Sequence, residues 1–375
     1  MPGLRLLHTA DVHLGAPFNF LGRRGREQRE QLKATFARVV DLALTSQADL
    51  LIIAGDLFHA PSPGSGLLGE VAYQLGRLDA EGIWTVIAPG THDPPLDGGA
   101  YDDGPLSSLP HVYVFRGERM EPLVIEGLDL AVYGMASQRE GDDALAGFRA
   151  REGPRWRVGV VHASMRIPGR VEEDAMMVTG ESVAASGLHY LALGHWHSLA
   201  DHSRGEVTAY YPGPPEALGM GDGERGRVLL VELEEGEKPL VKPIVVGRRR
   251  FLRMDVDAGE AGGPRGLYAR IREMADNELA LRVNVLRTWG EEWMGFPWDK
   301  LEEELAPLFF HLQLRVSPVS LGLQEVEEFP ETTVSGRFLR LAREEMARRE
   351  GEELLVAEEA LHLGLAHLSG EEPGT

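Results

Sequence analysis

The sequence predicts an α/β fold, with a large domain followed by a smaller one. Apolar runs of strand length alternate with segments of helical periodicity from the amino terminus onward. Several of these runs end in aspartate or histidine, which is typical of strands whose carboxyl ends form a site. The length of 375 residues exceeds that of one ordinary domain and so favours two.

The first part of the chain alternates strand and helix, which implies right-handed crossovers and a sheet covered on both faces. A strand at 4–9 precedes a helix at 26–47, and a buried strand begins at Leu50. A helix at 66–78 and a strand at 83–88 follow. Further strands are predicted at 128–133, 157–161, 190–193, 207–211 and 228–232. Few long helices separate these later strands, so we expect one mixed sheet or two packed sheets.

The pattern changes around residues 246–253, after which a second set of elements begins. These elements are strands at 251–256, 279–286 and 312–316 and helices at 266–274 and 301–310. They are enough for a small α/β domain. From residue 335 the chain is helix-forming with a break near Gly351, and Leu354, Leu361, Leu365 and Leu368 form an apolar stripe. We therefore expect domains at 1–247 and 248–330 and a helical segment at 331–375.

The composition excludes several classes of protein. The absence of cysteine excludes disulfides, thiolate zinc sites and cysteine nucleophiles. No run approaches the roughly 20 apolar residues of a membrane span, and the amino terminus lacks a secretory core, so we expect a cytoplasmic protein without a membrane. A formal net charge of -21 argues against a nucleic-acid partner. Because exposed charges are screened beyond about 8 Å, however, a local basic or metal-bearing patch can still bind a nucleic acid.

Polar side chains follow five of the predicted strands. They are Asp11 and His13, then Asp56 and His59, then Thr91, His92 and Asp93, then His162, and finally His195 and His197. In open α/β sheets such groups converge on one crevice at the carboxyl ends of the strands. Imidazole and carboxylate suit zinc, manganese or iron. Two aspartates and four histidines of this set form a metal constellation, and these six donors exceed what one tetrahedral zinc uses. Two metals that share a carboxylate are the simplest interpretation.

These residues carry a resemblance to a known family. The ordered motifs Asp-x-His, Gly-Asp, a Gly-x-His-Asp turn, His and Gly-His-x-His resemble those of the calcineurin-like metallophosphoesterases. The stretches "LLHTADVHLG", "GDLFH", "LHYLALGHWH" and "YYPGPPEALG" resemble the branch of SbcD and YhaO-type DNA repair exonucleases, over about residues 4–220. The resemblance implies two packed mixed sheets flanked by helices, an αββα sandwich, with a small α/β capping domain and C-terminal helices.

The resemblance also implies a role for each of these side chains. It places Asp11, His13 and His197 on one metal, His162 and His195 on the other, and Asp56 between the two. His92 would face the phosphate and stabilise or protonate the leaving group, and Asp93 would orient its ring. His59 resembles the extra histidine of the nuclease branch and would contact the phosphate or the DNA end.

Thr91 departs from the family pattern, which has at this position an asparagine that ligates the second metal, the one assigned to His162 and His195. Threonine is one atom shorter, and its hydroxyl is a poorer donor to a divalent cation. A water bridge, direct ligation after a small backbone shift and a weak second site all stay open, as does a threonine that only caps the turn. We expect two unequally bound divalent ions, most suitably Mn²⁺, with Mg²⁺, Fe²⁺ or Zn²⁺ as alternatives.

The favoured function is a DNA repair nuclease, exonuclease or endonuclease, that cleaves phosphodiester bonds by metal-activated hydroxide. Arginines beside the first metal loop and near the domain junction would contact DNA phosphates, although each cluster also fits an ordinary solvated surface. They are Arg23, Arg24, Arg26 and Arg29, and then Arg248, Arg249, Arg250 and Arg253. Two other functions stay open: a phosphodiesterase or phosphatase for a small nucleotide or other small phosphoester, and a metal-compromised scaffold that binds DNA or an ATPase.

The resemblance implies a protein partner as well. Exonucleases of this branch work beside an SMC-like coiled-coil ATPase of the SbcC or YhaN type. The C-terminal helical segment would dock on that ATPase, unless it packs within its own chain. A homodimer is also left open.

Overall fold

The computed structural model of the protein describes residues 3–102, 104–137, 143–286, 293, 296–316 and 333–349, together with residues 357, 360, 361 and 364. The chain divides into two compact units, Met1–Phe251 and Leu252–Thr375. The domain boundaries predicted at 247 and 330, and the roles predicted for those domains, stay predictions.

The first unit is built from short strands and three helices. The strands are β1 (Leu4–Thr9), β2 (Leu50–Ile53), β3 (Trp84–Ile87), β4 (Val112–Val114), β5 (Glu121–Ile125), β6 (Leu130–Gly134), β7 (Trp156–His162), β8 (Ser164–Met165), β9 (Met177–Val178), β10 (Tyr190–Gly194), β11 (Ala200–Asp201), β12 (Thr208–Tyr211), β13 (Arg227–Leu233) and β14 (Leu240–Val245). The helices are α1 (Gly25–Thr45), α2 (Ser65–Ala80) and α3 (Gly180–Ala185), and a 3₁₀ helix (Asn19–Arg24) leads into α1.

Most of these strands form two six-stranded mixed sheets. The first has the order β14-β13-β1-β2-β3-β4, in which β1 to β4 are parallel and β13 and β14 are antiparallel additions. The second has the order β11-β12-β10-β7-β6-β5, with four parallel strands between two antiparallel edge strands. In both sheets the parallel strands are the ones that carry the predicted polar residues at their carboxyl ends.

The two sheets pack face to face through one apolar core. Leu6, Ile52 and Val86 of the first sheet share a buried cluster with Val132 and Val158 of the second. Alternate residues of the central strands face outward, toward the helices. Helix α2 contacts β3 of the first sheet, and helix α1 packs against α2. Helix α3 buries Val183 in a cluster with strands of the second sheet. The predicted α/β fold is confirmed. Of the two arrangements that the sequence left open, one mixed sheet or two packed sheets, the structure has two packed mixed sheets flanked by helices.

The sequence reasoning missed edge strands. β5 has the sequence EPLVI and alternates exposed and half-buried positions. β14 carries Lys242 and Pro243 in its middle and is largely exposed. Charged residues and proline are what natural edge strands use to discourage further pairing, and the same residues weaken the apolar pattern on which strand prediction depends.

The second unit contains a three-stranded sheet and two helices on one of its faces. Its elements are β15 (Arg250–Asp257), α4 (Gly263–Glu273), β16 (Asp276–Leu286), α5 (Trp298–Leu305) and β17 (Phe309–Val316), in sheet order β15-β16-β17. The prediction of a helix at 301–310 was wrong about where the helix ends, since α5 ends at Leu305. A short 3₁₀ turn with Pro307 follows Leu305, because proline lacks the amide hydrogen that would continue the helix, and strand β17 then begins at Phe309.

A last helix, α6 (Val334–Met346), begins at the N-cap Thr333, whose hydroxyl accepts a hydrogen bond from the Gly336 amide. Leu339 and Met346 of α6 and Leu361 are buried in a small apolar cluster. The predicted break near Gly351 and the predicted stripe residues Leu354, Leu365 and Leu368 lie outside the described residues. Within the described part of the chain, every helix is too short or too polar to cross a bilayer.

Candidate metal centre

The loops after β1, β2, β3, β7 and β10 meet at the carboxyl edge of the two sheets and enclose one open cavity. Its volume is about 540 Å³. Most of the predicted site residues line it: His13, Asp56, His59, Thr91, His92, His195 and His197. Asp11 and His162 are fully buried behind this wall. The loops therefore bring together the side chains that the sequence pattern had assigned to a single site.

The backbone is strained at four of these residues. Asp11, His13 and Asp56 adopt the left-handed conformation, with φ of 54°, 49° and 50°, and His195 has φ 104°. A non-glycine residue in such a conformation costs on the order of 1–3 kcal/mol and persists only where the surrounding structure imposes it. Here the strain turns successive polar side chains sharply off the strand ends and into the cavity.

Two glycines allow the loops to approach His162 closely. A Cβ atom on Gly55, where φ is +88°, would lie 2.1 Å from the His162 ring. A Cβ atom on Gly194 would lie 1.6 Å from the Ala54 carbonyl oxygen. Because neither contact is sterically allowed, only glycine fits at these positions, and the imidazole of His162 is enclosed by backbone.

The first set of candidate ligands, the Asp11 group, consists of Asp11, His13 and His197. One ligand atom from each lies within 4.8 Å of the others. Both carboxylate oxygens of Asp11 accept a hydrogen bond of 3.1 Å from the His195 amide, which fixes the carboxylate. The Nε2 atom of His197 lies 3.9 Å from Asp11 Oδ1. This grouping is the one that the resemblance assigned to one metal.

The second set, the His162 group, consists of His162 and His195. The Nδ1–H of His162 donates to the Ala54 carbonyl over 3.0 Å, so its other ring nitrogen, Nε2, is left for a ligand. That Nε2 lies 3.2 Å from Nδ1 of His195 and 3.3 Å from Asp56 Oδ2. The same Oδ2 atom lies 3.5 Å from His13 Nε2, so Asp56 stands between the two groups, as a bridging carboxylate would.

The electrostatics of the cluster also fit bound cations. The ion-pair partners of the buried Asp11 and Asp56 among the described residues are histidines. Burial raises the pKa of Asp11 to about 7. Burial alone would lower the pKa of His162, but the carboxylates of Asp56 and Asp11 outweigh it and raise the pKa instead. The Nε2 atom of His13 is buried and has no hydrogen-bond partner among the described residues. Buried carboxylates and lone pairs that converge without lysine or arginine are a suitable donor set for divalent metals.

Three imidazoles form the side of the cavity next to Asp56. The ring of His92 stacks on that of His59 at 5.1 Å and meets the edge of His13 at 4.8 Å. The Nδ1 atoms of His59 and His13 are 3.4 Å apart. His92 is exposed, and its Nδ1–H donates to the His59 carbonyl over 3.3 Å. His92 thus presents Nε2 as the ring nitrogen that is available for proton transfer.

Asp93 has a different position from the one expected of it. We expected its carboxylate to orient the His92 ring, and in the structure the His59 carbonyl does so instead. The buried Asp93 carboxylate accepts hydrogen bonds from the Gly90, Asp56 and Phe58 amides and from the Tyr101 hydroxyl, at 2.7, 3.2, 3.1 and 2.5 Å. It joins the loops after β2 and β3 and holds the strained backbone of Asp56.

With this geometry in place, comparison with known proteins identifies the family. The sequence profile of the calcineurin-like phosphoesterases matches residues 4–199, just over half of the chain. The chain belongs to this family. It is a metal-dependent phosphodiesterase, and the cluster described above is its candidate metal centre.

The curated relatives of this phosphoesterase fall in the Mre11 and SbcD branch. It is 27% identical over 320 residues to the DNA double-strand break repair protein Mre11 of Aeropyrum pernix, which covers 75% of this chain and 72% of that protein. It is 26% identical over 323 residues to the SbcD subunit of the nuclease SbcCD of Bacillus subtilis, covering 75% and 79%. The match to the metallophosphoesterase YhaO of Bacillus subtilis has 27% identity and covers 60% of this chain and 57% of that protein.

The predicted DNA-contacting arginines of the phosphoesterase lie in different environments. Arg23 and Arg26 are exposed, at the end of the 3₁₀ helix and the start of α1. Arg24 pairs with Glu27 at 2.7 Å, and Arg29 donates to the carbonyl of Pro17, a residue of the cavity wall, at 2.6 Å.

The second arginine cluster was partly misassigned, because Arg249 is buried. Only 3% of its surface is exposed, and its guanidinium donates to Glu27 and Gln28 at 2.8 Å. It cannot reach a DNA phosphate. The amides of Arg248 and Arg249 donate to the buried carboxylate of Glu216, at 2.9 and 2.8 Å. The backbone at Arg248 and Arg249 is therefore hydrogen-bonded to the "YYPGPPEALG" loop, which contains Glu216.

Sequence reasoning missed two residues that support the second histidine loop. Tyr211 stacks on Trp196 at 4.9 Å with an interplanar angle of 11°, and its hydroxyl donates to the Ala163 carbonyl at 2.6 Å. Asp174 accepts from His195 Nε2 at 3.0 Å. Tyr211 lies in the "YYPGPPEALG" motif, which carries the family resemblance but does not by itself indicate this contact. Asp174 carries no sequence signal, since it lies in a loop far along the chain from its partner.

Proposed function

We propose that this phosphodiesterase is a DNA repair nuclease that hydrolyses DNA phosphodiester bonds with two divalent cations, of which Mn²⁺ suits the ligands best. The observation that carries the proposal is the convergence of two carboxylates and four histidines at one cavity. The relatives named as double-strand break repair protein Mre11 and as a subunit of the nuclease SbcCD support DNA as the substrate.

The proposed cation ligands follow the two groups of the cluster. The Asp11 group would hold one cation, the His162 group would hold the other, and Asp56 would contact both. Two divalent ions bound there would supply positive charge to a phosphate and lower the pKa of a bound water. Asp11 and Asp56 contribute only two of the four negative charges that would balance them, so the site attracts a phosphate although the chain carries a net charge of -21.

His92 and His59 are proposed to act on the substrate itself. With Nδ1–H of His92 held by the His59 carbonyl, Nε2 is the atom that can give a proton to the leaving oxygen or donate to the phosphate. His59 stacks on His92 and keeps this ring in place. Asp93 would act indirectly, by holding the loop that carries His92.

The opposite wall of the cavity favours a nucleotide chain over a bare small phosphoester. It is largely apolar, since Ala16, Pro17, Phe18, Phe20 and Leu218 line it together with the polar residue Asn19. Phe20 is half-buried. Its ring makes edge-to-face contacts with the rings of Phe18 and Phe251, with centroid distances of 6.2 and 5.9 Å. Stacking of a base on such a fixed aromatic ring contributes on the order of 1–3 kcal/mol. The exposed Arg23 and Arg26 are proposed to contact the DNA backbone beyond this wall.

We also propose an SMC-like coiled-coil ATPase as partner, with the segment after residue 331 as the docking element. The relative named as a subunit of SbcCD supports a multi-subunit assembly. Deletion of the residues after Glu331 should abolish co-purification with the ATPase and leave hydrolysis of a small aryl phosphodiester unchanged. Loss of solubility would instead support a helix that packs within its own chain.

The test of the nuclease is cleavage of end-labelled linear duplex and single-stranded DNA with Mn²⁺, with bis(p-nitrophenyl) phosphate assayed in parallel. We expect cleavage that a chelator abolishes and that His92→Ala lowers by about 10²–10⁴-fold. The matched control is His111→Gln, which alters a histidine paired with Asp79 at the amino end of β4.

Each other outcome points to one of the remaining functions. Hydrolysis of the aryl diester without DNA cleavage would overturn the nuclease in favour of a small-substrate phosphodiesterase. DNA binding without hydrolysis of either substrate, under Mn²⁺, Mg²⁺, Fe²⁺ and Zn²⁺ in turn, would indicate the scaffold.

A further inference from the structure

A chain of hydrogen bonds leads from the protein core to the outer side of His195. The indole Nε1–H of Trp196 donates to the Ser164 hydroxyl oxygen at 3.0 Å. The Ser164 hydroxyl donates to Asp174 Oδ2 at 2.5 Å. The same Oδ2 atom accepts from His195 Nε2 at 3.0 Å. None of the three supporting residues belongs to the ligand set that the family pattern assigns.

This contact determines which nitrogen of His195 can bind a cation. A carboxylate can only accept, so Nε2 of His195 carries the hydrogen and Nδ1 carries the lone pair. Nδ1 is the atom that faces Nε2 of His162 at 3.2 Å. The His162 ring is fixed by the same logic through the Ala54 carbonyl. In the neutral form that binds a cation, each ring therefore presents one lone pair, and the two nitrogens are close enough to be adjacent ligands of one cation.

The chain is fixed at its far end. Ser164 is fully buried in β8. Trp196, which lies between His195 and His197 in the sequence, is fixed by its stack on Tyr211. Asp174 itself is partly exposed, with 32% of its side chain accessible, and its Oδ1 atom accepts from the Ala175 amide at 2.7 Å. The carboxylate is thus held from two sides before it meets His195.

We infer that Asp174 is a positioning residue for the cation bound by His162 and His195, which rests on the proposed two-cation phosphodiesterase site. It fixes the His195 ring and makes its Nδ1 a more basic ligand. Partners of this kind that hold a ligating histidine typically contribute 10–100-fold to metal affinity, as an order of magnitude. His195 needs such a partner because 26% of its side chain is exposed and its backbone conformation is strained. Asp174 therefore supports the group in which Thr91 replaces the usual asparagine.

The test is titration of the metal-free full-length protein with Mn²⁺ by isothermal calorimetry, without any substrate. We expect two binding events in the unaltered protein. In Asp174→Ala the dissociation constant of one event should rise about 10–100-fold, while the other changes less than about threefold. Asp174→Asn, which keeps the shape and an acceptor oxygen but loses the charge, should show a smaller rise. The matched control is Glu173→Gln, which removes the charge of the exposed neighbouring residue.

A double-mutant cycle shows whether Asp174 acts through His195. Asp174→Ala should add no further loss of affinity in a His195→Ala background. The inference is overturned if Asp174→Ala raises neither dissociation constant tenfold, if both events shift equally, if Glu173→Gln has the same effect, or if the loss persists without His195.

The kinetic readout separates positioning from a purely structural role. For hydrolysis of bis(p-nitrophenyl) phosphate, Asp174→Ala should raise the Mn²⁺ concentration needed for half-maximal rate and leave kcat at saturating Mn²⁺ near that of the unaltered protein. A lowered kcat at every Mn²⁺ concentration, with a lowered Tm, would contradict the inference. Because metal binding is measured without DNA, failure of the nuclease proposal would leave this result interpretable.

Discussion

The Asp11 group and the His162 group differ in how the protein holds their histidines. In the His162 group each ring has its outer nitrogen on a protein acceptor, the Ala54 carbonyl for His162 and the Asp174 carboxylate for His195. In the Asp11 group the outer nitrogen of His13, Nδ1, faces Nδ1 of the His59 imidazole at 3.4 Å, and 43% of the His197 side chain is exposed. The fixed carboxylate of Asp11 is the rigid part of that group.

This difference shows that ligand identity alone does not rank the two groups by affinity. The resemblance assigns Thr91, a less suitable ligand than asparagine, to the cation of the His162 group, yet the histidines of that group are the better oriented. The Asp11 group has the ligands that the family pattern expects, with a weaker support for its histidines. We therefore expect effects of decreasing size from substitutions of three residues. They are Asp56, which is common to both groups, Thr91, which replaces the usual asparagine, and Asp222, which lies next to the Asp11 group.

The largest effect should come from Asp56, because it stands between both groups. Asp56→Asn removes the charge that would contact both cations, and we expect kcat/KM for bis(p-nitrophenyl) phosphate to fall by about 10³-fold or more, which corresponds to several kcal/mol. Calorimetry should show that both Mn²⁺ binding events weaken together. The Tm of the metal-free protein should fall, because Asp56 is paired with His162 and His13 in the buried centre and removing one partner of a buried pair is destabilising.

The matched control for this change is Asp79→Asn, which alters an aspartate paired with His111 outside the site. It should leave both Mn²⁺ binding events and kcat/KM within about twofold. If Asp56→Asn weakened only one of the two events, Asp56 would not be the common carboxylate.

The side chains of the metal centre were predictable because their signal is local. Asp11, His13, Asp56, His162, His195 and His197 each directly follow or end an apolar strand, and parallel strands of an α/β sheet end at the same edge. The residues that orient these side chains could not be predicted from the sequence. Asp174 touches His195 across 21 positions of sequence, and Tyr211 touches Ala163 across 48. No short-range pattern reports such a contact.

The fold was predictable to the same degree and for the same reason. The central strands β1, β2, β7 and β10 are buried runs, and the long helix α1 shows helical spacing. The edge strand β14 was missed because lysine and proline interrupt its apolar pattern. The role of Arg249 was misassigned because an arginine paired in the interior and a solvated one have the same sequence appearance.

Thr91→Asn should have an intermediate effect, confined to the His162 group. Thr91 is half-buried in the cavity wall that also includes Asp56 and His195. An asparagine supplies the longer amide oxygen, and we expect the Mn²⁺ binding event of the His162 group to tighten about tenfold, or about 1.4 kcal/mol. Calorimetry measures this directly, and the rate should then need less added manganese.

Thr91→Val is the control, because it removes the hydroxyl and keeps the shape. It should weaken the same event if the hydroxyl takes part in binding, directly or through a water. Two equally tight events that Thr91→Asn leaves unaltered would show that the threonine has no role in metal affinity.

The smallest effect should come from Asp222, the acid next to the Asp11 group. Asp222 lines a second pocket together with His197, and its Oδ2 atom accepts hydrogen bonds from the amides of Leu218 and Gly219 at 2.9 and 2.8 Å. Its influence on His197 is therefore electrostatic only and weak in partly exposed surroundings. We expect Asp222→Asn to change either Mn²⁺ dissociation constant by less than about threefold, below about 1 kcal/mol. A tenfold loss would mean that Asp222 supports His197 as Asp174 supports His195, and the contrast between the two groups would disappear.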